Sequence, residues 1–338
     1  MTFNDFIEYS KAHIKEYLPD QYRDAEVQIQ TIQKMNEHYT GMIVRPEGME
    51  SAPVANMDMF YASYLQNDDL ESTIGDIGNM IMTAVPPEIA LDLLKDYSEL
   101  KTKLFVRLAP SEGCEDIMAD SPHRLEEDLL MTYHIMIPAQ DDGFLSARIS
   151  NQMLSELGVN AKQLHNDAIE NSAKILPVKV QSMMAALTGV EEEKPTMIVI
   201  TNEVGTFGAG ALFCEGILDQ VSEKLDGNYY LLPSSVHEWI AVPDAAGHSR
   251  EDLEMMVKSA NSTVVDAADR LSDNVFHYDS QERLFERADK YEERQAVRAM
   301  EKAADRGSLL NKLQGKKEQI TIDNHLDKDM HRQPGLAI

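Results

Sequence analysis

The sequence predicts an α+β fold, a mixed and largely antiparallel sheet with hairpins and flanking helices, followed by a C-terminal helix. Three observations carry this. Hairpin signatures outnumber strand–helix–strand units, and helical and strand patterns mix without strict alternation. From Gln281 onward the texture changes to dense charge around a narrow apolar seam. Residues 1–280 therefore read as one acidic globular domain, with a division into lobes at about 1–140 and 141–280 left open. Residues 281–338 read as a charged helix and a poorly ordered tail.

Taken in order, Phe3, Phe6, Ile7, Ser10, Ile14, Tyr17 and Leu18 recur at helical spacing, with Thr2 and Asp5 suited to the N-terminus and Pro19 to the end. Alternation at Val27, Ile29 and Thr31, and a second run at Thr40–Val44, predict a hairpin joined at His38-Tyr39. Met57–Leu65, Leu70–Val85 and Ile89–Leu100 are helical by period, separated by Asn67-Asp68 and Pro86-Pro87. Strands are expected at Leu104–Leu108, Leu130–Ile137, Phe144–Ile149 and Met197–Thr201, the middle two joined at Asp141-Asp142-Gly143. Helices are expected at Asn151–Leu157 and Ala161–Ile175, broken by Gly158. Glu191–Pro195 is a solvated turn. Then come a glycine-bearing turn, a helix at Ala211–Leu225 and two short strands around Pro233-Ser234-Ser235. A helix at Arg250–Asn261 follows Ser249, and a strand at Asn274–Tyr278 closes the body. Leu284, Ala288, Tyr291, Val297, Met300 and Ala304 place the seam on one helix, supported by Glu286 and Lys290 four residues apart.

The formal net charge is −27 over 338 residues, and it is unevenly spread. The last 58 residues carry 12 Lys/Arg against 11 Asp/Glu, leaving 19 basic and 47 acidic groups in the first 280. Such a field repels nucleic acid and acidic membranes, so neither is an expected direct partner. The acidic N-terminus does not read as a signal peptide, and the apolar runs fall well short of the roughly 18 residues of a membrane helix. Two unrelated cysteines, Cys114 and Cys214, are expected reduced, in a cytoplasmic protein. Nineteen methionines are expected chiefly as core filling.

The most informative stretch runs from Asn228 to Pro243. It gathers Ser234, Ser235, His237 and Glu238 beside the only tryptophan, Trp239. A Ser/His/carboxylate set invites a hydrolase reading. Strand parity opposes it: on one strand His237 and Trp239 share a face while Glu238 points away, and no G-x-S-x-G elbow surrounds either serine. A second candidate is the turn Gly205-Thr206-Phe207-Gly208-Ala209-Gly210, placed after a strand as phosphate-binding loops are. Its G-x-x-G-x-G spacing and missing Lys-Ser/Thr pair argue instead for glycines that permit a close turn. His237-Glu238 lacks the second histidine of H-E-x-x-H, and no metal site or cofactor is expected.

With these residues read, the chain resembles domain-of-unknown-function family 5688, found in anaerobic bacteria. The likeness lies in Met1–Phe6, in "LSELGVNAKQLHNDAIEN" at Leu154–Asn171, in "VITNEVGTFGAGALF" and in "YYLLPSSVHEWIAVPD", over about residues 1–280. The middle region is distantly similar to another uncharacterised bacterial family. The segment Arg306–Leu313 looks like short tails of accessory proteins carried on mobile elements. The resemblance implies a compact cytoplasmic bacterial protein and supplies no catalytic residues.

The favoured reading is a non-enzymatic binding or accessory protein that recognises a protein or small ligand. Its expected contacts are Ser234, Ser235, His237 and Trp239 with the Gly205, Gly208 and Gly210 turn. Two alternatives stand beside it. One is a hydrolase using Ser234 or Ser235 with a distant His165 or His248; the other is an acidic nucleic-acid mimic acting against a defence nuclease.

Overall fold

The structure, a computed structural model, describes residues 1–34, 37–48, 52–83, 96–138 and 144–304, with residues 306 and 316. It bears out the α+β class, with helices around three mostly antiparallel sheets and a C-terminal helix. The chain divides into two compact units, Met1–Phe285 and Glu286–Ile338.

The first unit contains two distinct apolar cores. One begins at helix Phe3–His13, closed by a capping box in which Thr2 Oγ1 accepts from the Asp5 N–H at 3.2 Å and the Asp5 carboxylate accepts from the Thr2 N–H. Strands β1 (Glu26–Lys34) and β2 (Glu37–Arg45) form the expected hairpin, and β3 (Val54–Asn56) pairs with β2. The connection is not His38-Tyr39: these residues pair with Gln33 and Ile32 inside the ladder. Asn56 caps helix Met57–Asn67, accepting from the Asp58 and Met59 N–H groups. That helix and Leu70–Thr83 bury Met57, Ile74, Ile77 and Ile81 with Phe6, Met42 and Val44. The Pro86-Pro87 break lies outside the described residues, and the third expected helix is described only from Tyr97 to Leu100.

The second core lies between two further sheets. One is built on β6 (Leu129–Pro138), which pairs with β4 (Leu104–Pro110) on one side and with β5 (His123–Glu126) and β7 (Phe144–Arg148) on the other. The other has the order β13-β12-β10-β11-β9-β8, with β8 at Val178–Ser182, β9 at Ile198–Asn202, β10 at Tyr229–Ser235, β11 at Glu238–Pro243, β12 at Phe276–Asp279 and β13 at Leu284–Arg287. Every residue of β9 is buried, in keeping with the compact β-branched run expected to form a buried strand. β4 would expose a row of unpaired backbone groups at its outer edge, a liability that proteins cover or blunt. Here helix Ala161–Ile175 covers it: Asn171 Nδ2 donates to the Leu104 carbonyl at 2.9 Å, and Ser172 Oγ accepts from the Val106 N–H at 3.0 Å.

Three sequence expectations need correction. The helix expected from Ala211 begins at Ile217, because Gly208–Phe213 is a buried 3-10 segment and Cys214–Gly216 a turn. Leu284 does not lie on the C-terminal helix: it belongs to β13, and the helix runs over 288–304. Glu286 is likewise in β13, and its carboxylate binds Arg294 rather than Lys290, because strand geometry removes the i,i+4 relation. The expected disordered tail lies outside the described residues.

Strand parity on β4, β6 and β7 positions the site. Leu104, Val106, Leu108, Met131, Tyr133, Ile135 and Ala147 face the core. The alternate residues Phe105, Arg107, Thr132, His134, Phe144, Ser146 and Arg148 therefore share the opposite face. Phe105 pairs with His134, and His134 with Arg148, in one row across three strands.

Candidate functional site

The glycine turn and the β10–β11 hairpin tip come together. Asn202 folds the turn, its Oδ1 accepting from the Val204 and Gly205 N–H groups while its Nδ2 donates to the Thr206 carbonyl. Gly205 is exposed at φ +70°. Gly208 then lets two backbones touch: a Cβ there would fall on Thr201 Oγ1 and the His237 carbonyl, and 2.9 Å from the Asn202 nitrogen. Four hydrogen bonds join the two segments. Thr201 Oγ1 donates to the His237 carbonyl (2.8 Å), the Ala209 N–H to the Val236 carbonyl (3.2 Å), the Phe207 N–H to His237 Nδ1 (3.0 Å), and Trp239 Nε1–H to the Ala209 carbonyl (2.9 Å).

Phe207 is the strained point of this junction. Its φ of +54° is unfavourable for a side chain with a Cβ, costing about 1–2 kcal/mol, and it persists where surroundings over-determine it. Here the backbone is held by His237, and the ring stacks on the His237 imidazole at 5.8 Å between centroids. The Arg107 guanidinium carbon lies 3.5 Å from the ring centroid, a cation–π contact. Phe105 and Phe144 flank the same ring. Behind it lies a cavity of about 10 Å³ lined by Val106, Asn202, Phe207 and Cys214, room for about one water. Any ligand must therefore approach Phe207 from the solvent side.

The imidazole of His237 is fixed at both nitrogens. Nδ1 accepts from the Phe207 N–H, so it carries no proton, and Nε2 sits 3.2 Å from Asp269 Oδ1. The proton therefore resides on Nε2, donated to Asp269, and the ring is neutral with no lone pair facing a substrate. Burial and the neighbouring Arg148 bring Arg107 down to about 10, with Asp269 acting in the opposite direction. His134 is fully buried and, with Arg107 and Arg148 nearby, is held neutral well below its ordinary value.

The sequence-derived candidates separate. His237, Ser234 and Ser235 are half-buried at the hairpin, but Trp239 is wholly buried against Phe276 and Phe285. It is a core residue, not a surface contact, because its indole must reach the Ala209 carbonyl in the interior. Gly208 and Gly210 are buried and serve close packing, Gly210 against the Val106 backbone. The turn leads into the 3-10 segment Gly208–Phe213 and not into an α-helix, which starts only at Ile217. The hairpin turn is Val236-His237, with Pro233 to Ser235 inside β10. Parity is thus not what parts His237 from Glu238. His237 lies in the turn and engages Asp269, while Glu238 accepts from Ser234 Oγ at 3.1 Å.

Neither serine meets an imidazole nitrogen among the described residues. Ser235 Oγ accepts from the His237 N–H. His165 spends its nitrogens on Tyr133 and Arg124, and His248 is exposed. No group of three or more His, Cys, Asp or Glu among the described residues is placed to hold a metal ion. No described helix is long and apolar enough to cross a membrane.

Sequence reasoning missed Arg107, Phe207, Asp269 and Arg148. A signal for Arg107 was present: it is the one charge in the apolar run Leu104–Ala109, and it shares parity with Phe105. Asp269 gave none, since it lies 32 residues after His237 and reaches it only through the fold.

The model of a family of unknown function, DUF5688, matches residues 3–280. No curated protein and no solved structure matches the chain. The chain belongs to the DUF5688 family.

Proposed function

We propose that this DUF5688 member is a non-enzymatic binding protein, whose recognition site is the niche formed by Phe207, His237, Asp269 and Arg107. The observation that carries the reading is the strained, half-buried Phe207 ring, held in place from two sides by His237 and Arg107. Strain retained at a partly open position is a mark of a recognition site. Catalysis receives no support from the same geometry. The His237 imidazole has both nitrogens engaged, and among the described residues neither serine meets a base. A cytoplasmic setting is supported by Cys114 and Cys214, both buried thiols, with burial raising the Cys214 thiol to about 11.

The test is a two-dimensional NMR titration with a fragment set spanning carboxylates, amines and neutral aromatics. Binders are expected to move the amides of 205–210 and 235–238 together, and to lose about tenfold in affinity in His237→Ala. Fragments that bind elsewhere, or that bind the variant equally well, would contradict the proposal. The thermal midpoint of the variant separates lost contact from lost fold.

A further inference from the structure

Two arginines on the face of β4 and β7 turned away from the second core have, among the described residues, less counter-charge than their burial calls for. Among the described residues Arg107 has one hydrogen bond, from Nη1 to Ser146 Oγ at 3.1 Å, and its buried Nε meets no acceptor. No carboxylate lies within ion-pair reach of it among the described residues; Asp269 acts only at longer range. Arg148 has Asp120 at 3.9 Å, the outer limit of a salt bridge, with its side chain 27% exposed. His134, which pairs with Arg148 in the register and lies near Arg107, is neutral and adds no negative charge. Guanidinium groups stay protonated at physiological pH, so the two repel each other across a partly desolvated face. Among the described residues, that pairing stands out in a chain of net charge −27, where carboxylates are abundant.

We propose that the ligand of this niche presents a carboxylate to Arg107 and Arg148, with Ser146 as a further donor and the Phe207 and Phe144 rings as an apolar flank. This rests on the binding reading above and narrows it. A planar carboxylate matches the guanidinium fork in a bidentate manner, and burying it there supplies the missing charge. The surrounding acidity and the adjacent Asp269 oppose polyphosphates and nucleic acid, so the ligand is small and bears a single negative charge.

The experiment compares benzoate, benzamide and inorganic phosphate by NMR titration of the full chain. Benzoate is expected to shift the amides of 205–207 and 146–148. Its affinity should fall about tenfold in Arg107→Gln, and less in Arg107→Lys, which keeps the charge without the fork. In the wild type, high salt should weaken benzoate and leave benzamide unchanged, a readout that needs no variant to fold. Benzamide binding as tightly as benzoate would overturn the carboxylate assignment and leave the site in place. Phosphate binding more tightly than benzoate would replace the carboxylate with a phosphoryl group. If none of the three moves these amides while other fragments bind in the niche, the carboxylate assignment fails alone; if no fragment binds there, the binding function fails with it.

Discussion

Trp239→Ala is expected to destabilise the protein by about 3–5 kcal/mol, enough to unfold much of a marginally stable population. The side chain is wholly buried, set edge-on to Phe276 at 5.4 Å and Phe285 at 6.3 Å between ring centroids. Truncation removes that apolar area and opens a cavity in the second core. It also leaves the Ala209 carbonyl without its indole donor at 2.9 Å, a separate cost of about 1–3 kcal/mol where no water can enter. Trp239→Phe keeps most of the volume and loses the hydrogen bond, so a smaller loss is expected. Urea unfolding followed by circular dichroism checks both, since the variants lack the only tryptophan. A loss below about 1 kcal/mol for the alanine variant would return Trp239 to the surface role that the sequence suggested.

Gly208→Ala is expected to cost about 3 kcal/mol or more, because the methyl meets backbone and not a yielding side chain. The His237 carbonyl and the Asn202 nitrogen cannot both retreat without parting β9 from the hairpin tip. Gly205→Ala is the control. An added Cβ at Gly205 meets nothing within 4 Å, so only the left-handed φ of +70° opposes it, at about 1–2 kcal/mol. Thermal melts of the two variants should therefore separate clearly, Gly208→Ala falling much further. Equal and small shifts would show that the glycines are spaced for a ligand's approach and not for packing.

Much of the fold was legible because periodicity reports it directly. Met197–Thr201 reads as a buried strand from its compact β-branched run, found at Ile198–Asn202, and the β6–β7 and β10–β11 hairpins follow from alternation and turn residues. Thr2 and Ser249 each mark a helix start that the structure confirms with a side-chain hydrogen bond. Short elements escaped: Val178–Ser182 and His123–Glu126 offer four or five residues each, too few to establish a period. The site was half legible. The serines, His237 and the glycine turn were named together, and the structure joins turn to hairpin through backbone contacts. What binds to His237 was not legible, since Asp269 and Phe207 reach it by tertiary packing. The strand-parity argument reached the right separation of His237 from Glu238 by the wrong route, because the turn is Val236-His237, directly after Pro233-Ser234-Ser235 and not on it.

A neutral His237 is locked between the Phe207 backbone and Asp269, which holds its imidazole against the Phe207 ring. Nitrogen-15 NMR of the imidazole at neutral pH tests this most directly. The expected spectrum shows the proton on Nε2 and a bare, hydrogen-bonded Nδ1, coupled through that bond to the Phe207 amide. A ring protonated on Nδ1, or one exchanging freely between tautomers, would contradict it and reopen the histidine as a catalytic base.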